Sequence, residues 1–571
     1  MEKSRNLCWQ EVAEKKRHDL AAKIPNDWKL PDSVLAEARH RSQLSGEFFD
    51  RLLDADTLKI TELRVEALLD AVHNGSVTAV DVTRAFCKRT AFAHQLNNNL
   101  LDIMFDTAHA RAVELDEYLE AHNKTVGPLH GLPVSLKDQF HVKGAETTMA
   151  YVGWIGTFEG QKATGKEGNI NSELVGELYE LGAIPIAKTS MPQTLWYAET
   201  NNNIIGPTMN PAAQRLSCGG SSGGQGALLA LRGTPVGFGT DVGGSVSVPA
   251  AFNGVYSIKP SHGRISFRNA ASSSPGQVII PTVVGVMGES ISSLRLTLRS
   301  LISLKPWTRD ADVVNLPYRE EELSAAATEV NLAFGLMKDD GIVRPHPPIA
   351  RAIAMVSEAL SEAGHQMIVW EPPSHKESGS IHAAFTNADG AADVFENLLL
   401  SGEPLIPELV PEFGDGPGTP MPLLEFYNQT LRLKRYRNEY EDYWESTAKA
   451  TRSGGPVEAV ILPIAPHAAV IPGTWIYYNY GTIANTMDYT TIIIPVTRAD
   501  KTVDKFDDKY EPLNDVDERN WKAYDAELYD GAPASIQLLG RRLEEEKLLR
   551  VADVVVHALT QYKEKNQLAT V

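Results

Sequence analysis

The sequence predicts an α/β protein, a single large domain with a central mixed β-sheet covered by helices on both faces. Two observations carry that prediction. Helical stretches alternate with short apolar strands from about Val77 to the C-terminal end, the pattern that lays helices over both faces of a sheet. The 571 residues, 43% hydrophobic and 22% charged, supply a large core in ordinary globular proportions.

Taken in order, residues 1–75 read as helices joined by polar turns such as IPNDWKLPDS, an N-terminal helical arm able to wrap a core. Residues 76–571 read as the α/β domain itself. After Phe105, Ala108, Ala112, Leu115 and Leu119 recur on one helical face. In LHGLPVSLKDQ, Leu132, Val134 and Leu136 alternate with Pro133, Ser135 and Lys137. That is a strand of period two, with Lys137 on its polar side at the end. VGELYELG before AIPIAKTS, and PPIARAIAMVSEALSEAG before HQMIVWEPP, are further helix–strand pairs. The acidic, Pro- and Gly-rich composition of about 305–455 (PEFGDGPGTPMP) marks a helical insertion with a mobile loop. Near the end, APASIQLLG reads as a strand before a helix that carries Leu548, Ala552, Val555 and Leu559 on one face.

The net charge of −19 disfavours nucleic acid or an anionic membrane as a partner. Three cysteines, Cys8, Cys87 and Cys218, are too few for a disulfide framework and fit a reducing compartment. The first twenty residues are charged, with no apolar signal core. The most apolar stretches, from Ala459 and from Thr490, are short and broken by Pro. The expectation is a cytoplasmic protein acting on a small molecule.

The densest chemistry lies between Gly219 and Ala250, where ten of the 26 residues from Gly219 to Gly244 are glycine. Such density without a repeat asks for positive φ or for close approach of the backbone to something. It also lets several N–H groups face one concavity, as anionic oxygens require. Ser221, Ser222 and Ser245 lie in this run, and serine beside free backbone donors is the composition of acyl transfer through an oxyanion. A flexible linker is the alternative for a Gly/Ser-rich run, but Leu228, Leu229, Val236, Phe238 and Val242 need a core.

Three competing motifs are weaker. Gly219 to Gly223 fits G-x-S-x-G, yet the preceding NPAAQRLSC reads as loop where that elbow needs a strand. GAIPIAKT resembles a phosphate loop but has Ala187 in place of Gly and reads as a buried strand. Cys218 has no neighbour that would lower its pKa. His130 and His141 flank Lys137 without metal-ligand spacing, so no metal or other cofactor is expected.

GGSSGGQGALLALRGTPVGFGTDVGGSVSVPAAFNG resembles the signature segment of the amidase signature family, and GPLHGLPVSLKDQF resembles its lysine strand. WQEVAEKKRHDLAAKIPNDWKLP, MPQTLWYAETNNNIIGPTMNP and APASIQLLGRRLEEEKLL resemble the fungal acetamidase branch, so the resemblance runs over nearly the whole chain. It implies the amidase signature fold and an amide hydrolase that releases an acid and ammonia or an amine, without cofactor. It further implies a Ser–cis-Ser–Lys triad, with Ser245 as nucleophile, Ser221 as bridge and Lys137 as base. The N–H groups of Val242, Gly243 and Gly244 would form the oxyanion hole. Leu195, Trp196 and Tyr197 would face the acyl chain, and Ser222 and Asp241 would support the site. A weakly active member serving as a binding or complex subunit is the alternative, as is an α/β-hydrolase-type esterase; a homodimer is compatible with either.

The chain departs from the family pattern at three places. Ser247 stands where an arginine usually pairs with the equivalent of Asp241, Cys218 replaces a common Pro, and Gln225 a common Glu. Without the arginine, Asp241 needs another donor, because an unpaired buried carboxylate is costly. Restoring it by Ser247→Arg is expected to stiffen the loop, unless another residue already fills that volume.

Overall fold

Short apolar runs become strands here because both of their faces find helices to pack against. The computed structural model describes residues 8–323 and 331–568. Its strands in chain order are β1 (Leu100–Ile103), β2 (Pro133–Lys137), β3 (Ile184–Thr189), β4 (Met209–Asn210), β5 (Ala213–Ser217), β6 (Val236–Asp241) and β7 (Tyr256–Lys259). They continue with β8 (Val283–Gly288), β9 (Ala333–Leu336), β10 (Gln366–Val369), β11 (Ala459–Leu462), β12 (Thr490–Arg498) and β13 (Pro533–Gly540). Eleven of them form one sheet in the order β1-β3-β2-β6-β8-β7-β12-β13-β11-β9-β10. β2 runs parallel to β3 and β6, and β9 parallel to β10 and β11, while the other neighbours are antiparallel. The sheet is mixed, as expected.

Every residue of β2, β3, β6, β8 and β13 is buried. Since successive side chains point to opposite faces, both faces of the central strands are covered. Ser135 and Lys137, on the polar side of β2, are both 0% exposed, so that side is buried as well. The helix Phe105–His122 buries Phe105, Ala108, Ala112 and Leu115, and Glu545–Asn566 buries Leu548, Ala552, Val555 and Leu559. Among the described residues no helix is long and apolar enough to cross a membrane.

Two segments differ from their sequence reading. The region of about 305–455 holds the helices His375–Thr386, Ala392–Leu399 and Leu423–Ser446 and the expected strand in HQMIVWEPP, β10, but it also supplies β9 to the sheet edge. A four-residue apolar run such as Ala333–Leu336 is too short to announce itself, and pairing with β11 makes it a strand. Ala213–Ser217, read as loop, is the strand β5, paired only with β4 outside the main sheet. From the N-terminal segment, the helix Trp9–Ala22 is tied down by Lys16 Nζ, 2.6 Å from Glu146 Oε2. Leu44 N also donates to Pro211 O at 2.7 Å.

The glycine density is explained mostly by close packing. Of the ten glycines between Gly219 and Gly244, only those two have positive φ, at +79° and +110°. The others admit neighbouring backbone or side chains at short range. A Cβ on Gly224, in the helix Gly223–Ala230, would lie 2.5 Å from Ser190 N and 2.7 Å from Asn99 O. Those are main-chain atoms that cannot swing aside. Gly224→Ala is therefore expected to destabilise the protein by about 1–3 kcal/mol through overpacking. Gly276→Ala, with nothing within 4 Å of the added carbon, should leave the calorimetric Tm unchanged.

Candidate active site

β2 ends on Lys137, and its amine reaches into protein rather than solvent. Lys137 Nζ lies 2.7 Å from Ser221 Oγ and donates to Thr240 Oγ1 at 3.0 Å. Thr240 Oγ1 in turn donates to Gln139 Oε1, whose amide is oriented by Gln139 Nε2 donating to Ala271 O at 2.8 Å. Burial pushes the Lys137 amine well below the usual lysine range, with the field of Asp241 opposing.

Ser221 is delivered by the turn between β5 and the helix Gly223–Ala230, across a cis Gly220–Ser221 peptide. Gly220 fits because a Cβ there would lie 2.6 Å from Glu199 O. Ser222 ties this turn to the loop after β6. Its N–H donates to Ser245 O at 3.0 Å and its hydroxyl to Thr240 O at 3.3 Å. Lys137, Ser221 and Ser245, far apart in sequence, thus belong to one locus.

The loop Val242–Ser247 is folded around one carboxylate. Asp241 Oδ1 accepts from Gly244 N at 2.8 Å, and Oδ2 from Val246 N at 2.7 Å and Ser247 N at 3.3 Å. Asn485 Nδ2, on the helix Asn479–Thr486, adds a fourth bond to Oδ1 at 3.0 Å. Gly244 sits at φ +110°, a conformation an L side chain would strain. Its N–H, expected among the oxyanion donors, is committed to Asp241. The N–H groups of Val242, Gly243 and Ser245 have no acceptor among the described residues.

A cavity of about 200 Å³ opens at Ser245, bounded by Leu195, Trp196, Tyr197, Val242, Gly243, Phe413, Trp475 and Tyr478. All three residues expected to face an acyl chain are in its wall. Trp196 also borders a second cavity of about 320 Å³ on the side of Phe267, Arg268 and Asp312. Cys218 is buried, its Sγ 3.0 Å from Thr208 O, and burial pushes its thiol up. Gln225 Nε2 donates to Ser135 Oγ at 2.6 Å. Among the described residues no group of three His, Cys, Asp or Glu is placed to hold a metal ion.

Thr240, Gln139, Asn485 and His382 escaped the sequence reading. Thr240 and Gln139 had a signal, lying next to Asp241 and two residues after Lys137. Asn485 and His382 come from helices remote in sequence, and only folding brings them near.

Asn485 and three backbone amides supply what the absent arginine would have given Asp241. Ser247 is 2% exposed, with its hydroxyl 3.3 Å from that of Thr491. The side chain of Ser247→Arg has no volume and no free carboxylate lone pair to meet, which reverses the expectation of a stiffened loop. The substitution should lower Tm together with turnover, costing about 3 kcal/mol or more as a buried, uncompensated charge. A differential scanning calorimetry trace alongside an amide-release assay checks both.

The geometry agrees with relationships found by comparison. A family profile described as Amidase matches residues 81–549. An acetamidase of Aspergillus oryzae is 42% identical over 555 residues, covering 96% of this chain and 98% of the relative. An acetamidase of Emericella nidulans is 40% identical, covering 96% and 97%. Among solved structures, a fatty acid amide hydrolase superposes with a TM-score of 0.87 at 30% identity, over 96% of this chain and 95% of that one. The chain belongs to the amidase signature family and is an amide-hydrolysing enzyme.

Proposed function

We propose that the chain hydrolyses its amide through a seryl acyl-enzyme, with Ser245 as nucleophile and Ser221 and Lys137 as proton relay. The observation that carries this reading is the fully buried Lys137 amine, 2.7 Å from Ser221 Oγ behind the cavity that Ser245 lines. Burial favours the neutral amine. The Thr240 hydroxyl, committed as donor to Gln139 Oε1, has only its lone pairs to offer Lys137. The amine gives a hydrogen to Thr240, and its own lone pair turns to Ser221.

In the acylation step Ser245 Oγ bonds to the amide carbon and its proton passes to Ser221 Oγ, whose own proton passes to Lys137 Nζ. The carbonyl π pair becomes the oxyanion, facing the N–H groups of Val242 and Gly243. Collapse breaks the carbon–nitrogen bond, and the relay returns the proton to the leaving nitrogen. Water then repeats the sequence on the ester and frees the acid. Asp241 holds the loop in shape without touching the substrate.

The aromatic wall of the cavity supports an amide with an apolar or aromatic acyl group over acetamide, since apolar pockets with a few polar groups bind such chains. A panel of amides of graded acyl size should show kcat/KM rising with acyl apolarity. Trp196→Ala should narrow the gap; equal rates for acetamide and an aryl-acetamide, unmoved by Trp196→Ala, would refute the preference.

Ser245→Ala should abolish turnover and labelling by a fluorophosphonate while leaving Tm unchanged. Ser221→Ala and Lys137→Ala should each lose about three orders of magnitude or more, non-additively with Ser245→Ala. Absence of labelling in the unsubstituted protein would favour the binding-subunit alternative. Because the folded amine is depressed and must be neutral to act, kcat/KM should rise with pH through a limb well below 10.5 and then level off. A limb only near the ordinary lysine value would exclude Lys137 as the base.

A further inference from the structure

His382 lies on the helix His375–Thr386, in a region whose composition gives no reason to look for a functional group. Its imidazole lines the same cavity as Ser245. Nε2 is 2.7 Å from Val242 O. A carbonyl oxygen only accepts, so Nε2 carries the hydrogen and donates it. Burial holds the ring below the usual histidine range against the opposing pull of Val242 O and Asp241, which makes the neutral Nε2–H form the working one.

The carbonyl of Val242 and the N–H of Gly243 belong to one peptide plane. In a trans plane the two point in opposite directions. Anchoring the oxygen on His382 therefore sets the direction of the Gly243 N–H, which has no acceptor among the described residues. The packing around the contact is built for it. A Cβ on Gly243 would lie 3.2 Å from both Cε1 and Nε2 of His382. A Cβ on Gly379, one turn earlier on the His382 helix, would lie 2.0 Å from Asn479 Oδ1. Two glycines thus let the helix and its imidazole come this near. On the outer side, Arg432 grips Glu377 through two bonds of 2.6 Å each and fixes the helix in place.

We propose that His382 is a positioning residue for amide hydrolysis: its Nε2–H holds the Val242–Gly243 peptide so that the Gly243 N–H faces the oxyanion of the tetrahedral intermediate. The same bond polarises the peptide and strengthens its N–H as a donor, since linked hydrogen bonds reinforce one another. The proposal rests on the reading of Ser245 as nucleophile. It adds a residue that acts on the transition state through the peptide it holds rather than by taking part in proton transfer.

The test compares His382→Phe, which fills the space without a donor, with His382→Gln, whose amide carries an N–H to about the same reach. Each is assayed on an aryl-acetamide for kcat and KM. Each is also titrated with the trifluoromethyl ketone of the same acyl group, which forms a tetrahedral adduct with a serine. His382→Phe should lose about tenfold or more in kcat, less than the 10²–10³ lost when an oxyanion donor is itself removed. KM should stay within about threefold, the pattern of an interaction made only in the transition state. Affinity for the ketone should fall in parallel with kcat/KM, and His382→Gln should recover most of both.

If His382→Phe does not fold by circular dichroism, His382→Asn replaces it, its amide being too short to reach Val242 O. An unchanged kcat, a loss confined to KM, or a His382→Gln variant as slow as the variant without a donor would overturn the proposal. Ser245→Ala separates the two levels of inference. If it is inactive while His382→Phe is normal, only the role of His382 falls; if it turns over normally, the seryl mechanism falls first.

Discussion

At the end of β2 the amine of Lys137 has left water entirely, and its nearest partners are two hydroxyl groups with no carboxylate at ion-pair distance among the described residues. A charged amine in that setting is costly and a neutral one is not. That single desolvated nitrogen sets the terms for its surroundings, because it must be hydrogen-bonded and must be kept from acidic groups. The neighbouring residue shows how. Asp138, next in the chain, pairs with Lys188 at 2.9 Å, both groups 0% exposed. Thr148 and Met149 satisfy its other oxygen. Successive residues of an extended chain point apart, so the carboxylate is spent on a structural pair on one side while the amine works on the other.

Asp241 has the complementary task. One carboxylate gathers three backbone N–H groups and an asparagine amide, and thereby fixes the loop that carries Ser245. An arginine would do this through charge, whereas this chain does it through hydrogen-bond number. Three amides and Asn485 satisfy the oxygens of a buried carboxylate that would otherwise be destabilising. Nearby, Lys259 is buried in β7, and the fields of Asp488, Asp241 and Glu545 oppose the fall that burial imposes on its amine.

The helical periodicities at Phe105–His122 and Glu545–Asn566 translated directly into buried faces, because an amphipathic stripe needs only a core to meet. β2 was recognisable as a strand from its alternation. Alternation placed Ser135 and Lys137 on a polar side, and folding buries that side too. β9 hid inside a segment of helical and loop composition, since a four-residue strand is defined by its partners more than by its own residues, whereas β10 was legible as the strand after its helix. The Gly-rich run was legible as a place of close approach. What each glycine admits was not, because the atoms belong to residues remote in sequence, such as Asn99 and Ser190 beside Gly224 and Glu199 beside Gly220.

The sequence by itself determined the fold class, through hydrophobic period, and the family, through the resemblance of its motifs, because both are written locally along the chain. Tertiary structure decided what the site residues experience. Lys137 carries a charged or a depressed amine according to whether water reaches it, and its partners Ser221 and Thr240 come from 84 and 103 residues away. Asp241 finds Asn485 across 244 positions, and Val242 finds His382 across 140. Desolvation and long-range hydrogen bonds depend on which surfaces meet, and that is settled only when the chain has folded.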